Sequence, residues 1–420
     1  QYSTLHQLKQ LHGRILKLPS PEYWISVASL LRFAAESSNP RSFPYAETLF
    51  RSLNRRSTFL YNTVIQCCIQ RHRPSQGISF YKDMVREGLI KNNFTFTPLV
   101  KACGLISPEY RYCTGLSVHA HIAKLGFHQD LFIASALIQF YSLVLDMKTA
   151  DELFDEITAR DIVLWTCMID GYGKLEQVEK AQQLFDEMPQ RNSVSWSAIM
   201  AAHSRVGDYA AVLRLFRRME ASGISPNESS LVTAVSACAR LGSISQGLRI
   251  HSYAEKLNHA SNPILATALV DMYSKCGSAE MASRAFDEMI VKDSGAWNAI
   301  ISGLATNGES RRSLQLFDEM TSSGVRPTET TLTAVLTACA HSGSIREGLR
   351  LFETARSTYG IEPNAEHYAC VVDLLARSGA VEEAEGIAEA IAGSGDDGDV
   401  WGAILGACRV HGKVEVGDRA

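Results

Sequence analysis

Cysteine and histidine are the side chains here best able to hold a metal or attack a substrate, and there are ten and twelve of them. Their spacing argues for neither use. No two cysteines stand in the Cys-x-x-Cys arrangement of a zinc cage. Cys103, Cys238, Cys339 and Cys408 each follow an alanine at one phase of an apolar stretch, where a small buried thiol suits close helix packing. That usage fits a reducing compartment rather than a disulfide framework. His12, His119 and His251 share a phase too, and the matching place further on is Phe352, so the slot takes an aromatic and reads as packing. No Gly-rich phosphate loop or Ser/His/Asp arrangement stands out. The chain carries no catalytic machinery, and neither a metal nor another cofactor is expected.

The elements that position these residues recur. Trp165, Trp196, Trp297 and Trp401 each sit four residues into a repeated unit. Each of five units closes on a related box: Leu153 to Ile157, Leu184 to Met188, Leu215 to Met219, Ala285 to Met289 and Leu316 to Met320. Between the first three boxes, and between the last two, the step is 31 residues. A period of this size marks stacked supersecondary units, none of which buries its apolar face alone. Counted from three residues before the Trp/Tyr position, units span 58–92, 93–130, 131–161, 162–192, 193–227, 228–262, 263–293, 294–328, 329–364 and 365–397. A less regular unit, 24–57, precedes them. Residues 1–23 read as a partial repeat, with an amphipathic helix over Leu5 to Leu18, and 398–420 begin a further motif. Within a unit an apolar stretch such as Trp196 to Met200 opens one helix, a Gly-containing turn such as Val206-Gly207-Asp208 follows, and a second amphipathic helix runs through the box. The expected fold is all-α: a right-handed superhelical solenoid of helix–turn–helix repeats.

At 46% hydrophobic residues the chain has ample core, and no apolar run reaches the length of a membrane span. Neither a membrane nor a small-molecule substrate is an expected partner. Net charge is −4 but uneven. Residues 1–130 hold 16 Lys/Arg against 7 Asp/Glu, whereas residues 362–420 hold 4 against 12. The two ends are therefore expected to meet different partners.

The repeats resemble the pentatricopeptide family, and within it the plant type in which 35-residue P, 35–36-residue L and 31-residue S motifs alternate. Trp297-Asn298-Ala299-Ile300-Ile301-Ser302-Gly303 looks like the start of a P motif, Leu269 to Gly277 like an S motif and Leu332 to Cys339 like an L motif. Glu366 to Leu375 followed by Trp401-Gly402-Ala403-Ile404-Leu405 resembles the last S motif and the start of the family's C-terminal extension. Tetratricopeptide repeats share the period, but their Leu-Gly-x-x-Tyr signature is missing.

The resemblance implies that the fifth and last residues of each motif converge on one base of single-stranded RNA, one nucleotide per repeat. The pairs are then Asn62/Asn92, Thr97/Asp130, Ser135/Asp161, Thr166/Asn192, Ser197/Asn227, Val232/Asn262, Thr267/Asp293, Asn298/Thr328 and Thr333/Asn364. By the family code they specify a G-A-A-x-G core from Ser135/Asp161 to Thr267/Asp293, with pyrimidines at Asn62/Asn92 and Asn298/Thr328. Phe59, Phe94, Phe132, Val163, Val194 and Ile264, at the second position, would clamp the bases. Ser229, Gly295, Thr330 and Glu366 depart from that pattern. Polar residues at helix starts are also ordinary caps, so the same residues have a purely structural use. The implied role is choosing a site for cytidine-to-uridine editing in a plant mitochondrion or chloroplast. Splicing, stability or translation of an organellar RNA is the alternative, and a protein-only scaffold a third. The His-x-Glu and Pro-Cys-x-x-Cys signatures of a zinc deaminase do not occur, so deamination is expected from a further C-terminal domain or an editing-factor partner at the acidic end.

Overall fold

Among the described residues the full repeats resolve into pairs of successive helices, and there is no strand. The computed structural model describes residues 20–37, 41–53, 56–257, 262–391, 398–411, 413 and 415. The helix expected over Leu5 to Leu18, and His12 within it, lie outside them. The chain divides into two compact units, residues 1–206 and 207–420.

In the first unit the first helices of successive repeats are Ser20–Glu36, Thr58–Gln70, Asn93–Leu105, Leu131–Leu143, Ile162–Lys174 and Ser193–Arg205, each packed on the next. The second helices, Ser42–Ser52, Pro74–Arg86, Pro108–Lys124, Met147–Glu156 and Val178–Glu187, lie against the first helix of their own repeat. The second unit opens on Tyr209–Ala221. Its first helices, Glu228–Leu241, Pro263–Lys275, Ser294–Thr306, Glu329–Ser342, Ala365–Ser378 and Gly398–His411, again pack in series. From Thr58 onward these helices start at the residues where the sequence period places unit starts. The first described helix departs, beginning at Ser20 rather than 24; Pro21 suits a first helical turn, where its missing N–H costs nothing.

What fastens one repeat to the next is aromatic. Phe154 meets Trp165 edge-on at 4.9 Å between centroids, Phe185 meets Trp196 at 4.7 Å, and Phe286 meets Trp297 at 4.8 Å. Phe50 and Tyr61 repeat the contact at 5.0 Å. In these four repeats a cation six residues further on covers the phenylalanine: Arg56 over Phe50, Arg160 over Phe154, Arg191 over Phe185 and Lys292 over Phe286. The same groups satisfy carbonyls at the helix end. Arg160 Nε donates to Phe154 O and Arg191 Nε to Phe185 O, both at 3.0 Å, while Lys292 Nζ donates to Met289 O at 3.1 Å. These are the acceptors that a helix C-terminus leaves without intrahelical partners.

Close approach of neighbouring first helices needs small residues. A Cβ added at Gly303 would fall 2.0 Å from Ser274 Oγ. The hairpin turn needs a left-handed residue, which Gly207, Gly242, Gly277, Gly308, Gly343 and Gly379 supply. In three repeats the expected glycine is absent, and His72, Leu145 and Glu176 take positive φ values of 54°, 64° and 58°. The stacking on either side fixes the turn, so the strain of an L-residue there is tolerated. Leu145 is 70% exposed and gives up little packing if truncated. Leu145→Gly is therefore expected to stabilise the protein by about 0.5–1 kcal/mol, read as a higher denaturant midpoint at unchanged slope; an unchanged or lower midpoint would refute strain at this turn.

Candidate nucleic-acid interface

Each last-position residue is the N-cap of the following first helix. Asp130 Oδ1 accepts from the N–H groups of Phe132 and Ile133 at 3.0 and 3.1 Å, and Asp161 Oδ1 from Leu164 at 2.8 Å. Asn192 Oδ1 accepts from Val194 and Ser195, Asn227 Oδ1 from Ser230, and Asn262 Oδ1 from Ile264 and Leu265. Asp293, Thr328 and Asn364 cap through Ala296, Thr331 and His367. Asn92 caps through Thr95, whose hydroxyl accepts from the Asn92 N–H at 3.2 Å. The structural use of these residues is thus real. It also assigns their atoms: in every Asp or Asn that accepts a backbone N–H the bonded atom is Oδ1, so the second side-chain atom is an acceptor in Asp and a donor in Asn.

Fifth-position residues are held in two ways. Asn62 Nδ2 donates to Asn92 Oδ1 at 3.0 Å, and Asn298 Nδ2 to Thr328 Oγ1 at 2.9 Å, so these two pairs are in direct contact across 30 residues of sequence. Hydroxyl residues instead donate back to the preceding turn. Ser135 bonds Leu131 O, Thr166 bonds Ile162 O, Ser197 bonds Ser193 O and Thr333 bonds Glu329 O. With its proton spent on a carbonyl, such a hydroxyl offers lone pairs. Thr97, Val232 and Thr267 are each half-buried on their own helices.

The six apolar second-position residues are exposed: Phe94 and Phe132 to 72%, Ile264 to 62%, Val163 to 55%, Val194 to 53% and Phe59 to 46%. In the first unit, Phe59, Phe94 and Phe132 line one groove of about 790 Å³ together with Asn62, Asn92 and Thr97. Apolar faces and polar edges therefore alternate along it, the lining that a stacked base needs.

Cysteine and histidine go elsewhere. Burial pushes the Cys103 thiol up to about 12 and those of Cys238 and Cys339 up to about 11, leaving them protonated. His119 Nδ1 faces the Tyr141 hydroxyl at 2.6 Å and His251 Nδ1 faces that of Tyr273 at 2.7 Å, while Phe352 packs edge-on against Tyr368 at 5.0 Å. The shared phase therefore serves contact with the next repeat. Two positioning features lie outside the sequence expectations: the cations Arg160, Arg191 and Lys292, although each stands six residues after its box phenylalanine, and the threonines Thr95 and Thr331.

Within each unit, a stack of helical hairpins with polar cap residues between exposed apolar ones defines a helical-repeat protein. A model of the PPR repeat family matches residues 56–104, 160–193 and 292–341, and one of the PPR repeat matches 194–224, 265–294 and 330–357. In Arabidopsis thaliana, pentatricopeptide repeat-containing protein At5g66520 is 41% identical over 99% of this chain and 66% of its own length. Protein At5g43790 is 32% identical over 99% and 84%, and CRR2, chloroplastic, is 33% identical over 100% and 59%. The crystal structure of the pentatricopeptide repeat protein PPR10 from maize shares the fold, with a TM-score of 0.56 at 16% identity, covering 99% of this chain and 64% of that one. The chain belongs to the pentatricopeptide repeat family.

Burial holds the His119 imidazole below its usual value, against an opposing pull from Glu156. The unfolded chain then binds a proton more readily than the folded one, so the contribution is complete above the ordinary imidazole range and is lost as pH falls through it. Thermal stability is expected to drop between about pH 7 and about pH 5.5, and His119→Phe to make that drop shallower even if it lowers stability at neutral pH. Identical slopes for the two proteins would remove His119 from the acid response.

Proposed function

We propose that the chain binds single-stranded RNA and selects its sequence through the fifth and last residues of each motif. The observation that carries this is the groove of the first unit, where Asn62 bonds Asn92 between the exposed rings of Phe59 and Phe94. The hydrogen-bond inventory gives the pairs a chemical sense. Thr166 offers lone pairs and Asn192 an amide donor, which complement the N6 donor and N1 acceptor of adenine. Ser135 with Asp161 offers acceptors only, matching the N1–H and N2–H donors of guanine. Thr267/Asp293 has the same residue types. Positive charge in residues 1–130 adds attraction to phosphate at that end of the chain.

The role we assign is choice of a site for cytidine-to-uridine editing in an organelle, with deamination supplied by another domain or partner. Support for the organelle is the chloroplast designation of the similar CRR2. Support for the editing role is the alternating 31- and 35-residue motif lengths and the Trp401 segment at the acidic end. Sequencing organellar transcripts from a line lacking the gene tests it: one or a few unedited cytidines are expected, and an intact editing profile with altered splicing or transcript abundance would favour the alternative RNA roles.

Selection from randomised RNA is expected to recover the G-A-A-x-G core. Asn192→Asp keeps the cap, since Asp161 and Asp293 cap in the same way, but replaces the donor by an acceptor. One base should then shift from A to G, with a swing of about 1–3 kcal/mol between the two RNAs. Equal binding losses on both RNAs would show that this residue caps and does not read.

Phe94 tests the stacking role separately. Because the ring is 72% exposed, Phe94→Ala should leave the melting temperature nearly unchanged. It should weaken RNA binding by about 1–3 kcal/mol with little change in base preference. Unaltered affinity in a filter-binding titration would argue that the groove does not stack bases.

A further inference from the structure

The motifs whose fifth residue is asparagine share one more feature. At the third residue of the following first helix they have a threonine, Thr95 after Asn62 and Thr331 after Asn298. After the hydroxyl-type fifth residues that place holds Ile133, Leu164, Ser195, Ser230, Ala296 or His367. Both threonines are fully buried. Thr95 Oγ1 accepts from the Asn92 backbone N–H at 3.2 Å, so its own proton must go to an acceptor. Asn62 Oδ1 takes it at 2.7 Å, and Asn62 Nδ2 in turn donates to Asn92 Oδ1 at 3.0 Å, closing a ring of hydrogen bonds. The second copy has matching contacts but can also run in reverse, since the Thr328 and Thr331 hydroxyls lie 3.1 Å apart and either can donate. The Thr328 N–H donates to Thr331 Oγ1 at 2.9 Å, Thr331 Oγ1 donates to Asn298 Oδ1 at 2.5 Å, and Asn298 Nδ2 donates to Thr328 Oγ1 at 2.9 Å. Serines at the same place do something different: Ser195 and Ser230 donate to the cap's own carbonyl, Asn192 O and Asn227 O.

An asparagine amide has two orientations that exchange its donor and acceptor edges. The ring at Asn62 permits one. Turning the Asn62 amide over would set its carbonyl against Asn92 Oδ1, and turning both amides over would strand the Thr95 proton, whose second acceptor is Asn92 Oδ1 at 3.1 Å. Each buried mismatch of this kind costs about 1–3 kcal/mol. Asn62 therefore keeps an N–H, not a carbonyl, for whatever enters the groove that it lines. Among pyrimidines, cytosine offers adjacent acceptors at N3 and O2, whereas uracil interposes an N3–H donor.

We propose that Thr95 is a specificity-determining positioning residue, which locks the amide of Asn62 so that this motif presents a donor edge and accepts cytosine ahead of uracil. The proposal rests on the RNA-reading role above. It is tested by selecting a randomised single-stranded RNA library on the full chain and on Thr95→Val, Thr95→Ser and Thr331→Val. Valine keeps the shape and removes the hydroxyl; serine restores it. Wild type should show one position with cytosine enriched over uracil by roughly tenfold, falling to within about twofold of parity in Thr95→Val and recovering in Thr95→Ser. Thr331→Val serves as the control, because the ring around Asn298 can reverse, and it should leave the cytosine-to-uracil ratio of the Asn62 position as in wild type. An unchanged cytosine-to-uracil ratio in Thr95→Val, or a uniform loss of enrichment at every position in both Thr95 variants, overturns the proposal. A wild-type protein that enriches no base anywhere defeats the RNA reading itself. Circular dichroism checks folding, and should Thr95→Val unfold, Thr95→Ala takes its place: an unchanged cytosine-to-uracil ratio there overturns the assignment.

Discussion

The edge-on contact between a second-helix phenylalanine and the aromatic residue opening the next first helix is the joint on which the rest depends. It recurs at Phe50–Tyr61, Phe154–Trp165, Phe185–Trp196 and Phe286–Trp297 with near-constant geometry. Such a pair is worth about 0.5–1.5 kcal/mol beyond the area it buries. The covering cation adds a similar amount and closes the preceding helix through its carbonyls. The residue directly after Arg160, Arg191 and Lys292 is a last-position residue: Asp161, Asn192 and Asp293. Packing between repeats therefore sets where each of these side chains stands. A short 31-residue unit has little connecting chain in which that placement could slip.

Capping and base reading are usually treated as rival explanations for a polar residue at a helix start. Here the cap consumes Oδ1 and leaves the other side-chain atom, whose character depends on whether the residue is Asp or Asn. Either residue caps well, with similar preference at this position. Exchanging them changes the chemistry offered outward at little cost in stability, which lets a repeat vary its reading without altering its fold.

The sequence carried the helix starts from Thr58 onward because a capping residue recurs there, joined in the units of Trp165, Trp196 and Trp297 by that aromatic and a box at constant distance. The departures have local causes. Ser20 opens its helix early where Pro21 permits it, and His72, Leu145 and Glu176 occupy a left-handed turn that stacking imposes on residues with no preference for it. The hydrogen-bond rings of Thr95 and Thr331 join residues more than 30 apart in sequence, so no local pattern announces them until neighbouring first helices are placed side by side. The box-to-cation distance was present in the chain all along, but only the ring beneath each guanidinium shows that it serves packing.

Exposed apolar side chains at single sites need no explanation on a protein surface. Phe59, Phe94 and Phe132 differ in recurring at one phase and lining a common groove with amide and hydroxyl groups between them. Repeats built for packing alone would bury these rings, as they bury Phe50, Phe80, Phe96, Phe185 and Phe216. In the second unit the same phase holds Ser229, Gly295, Thr330 and Glu366, with Ile264 alone keeping a bulky apolar group. Stacking surface and positive charge thus both belong to the early repeats. The later ones retain the capping residues, so on the proposed RNA-reading role they would rely on edge contacts more than on stacking.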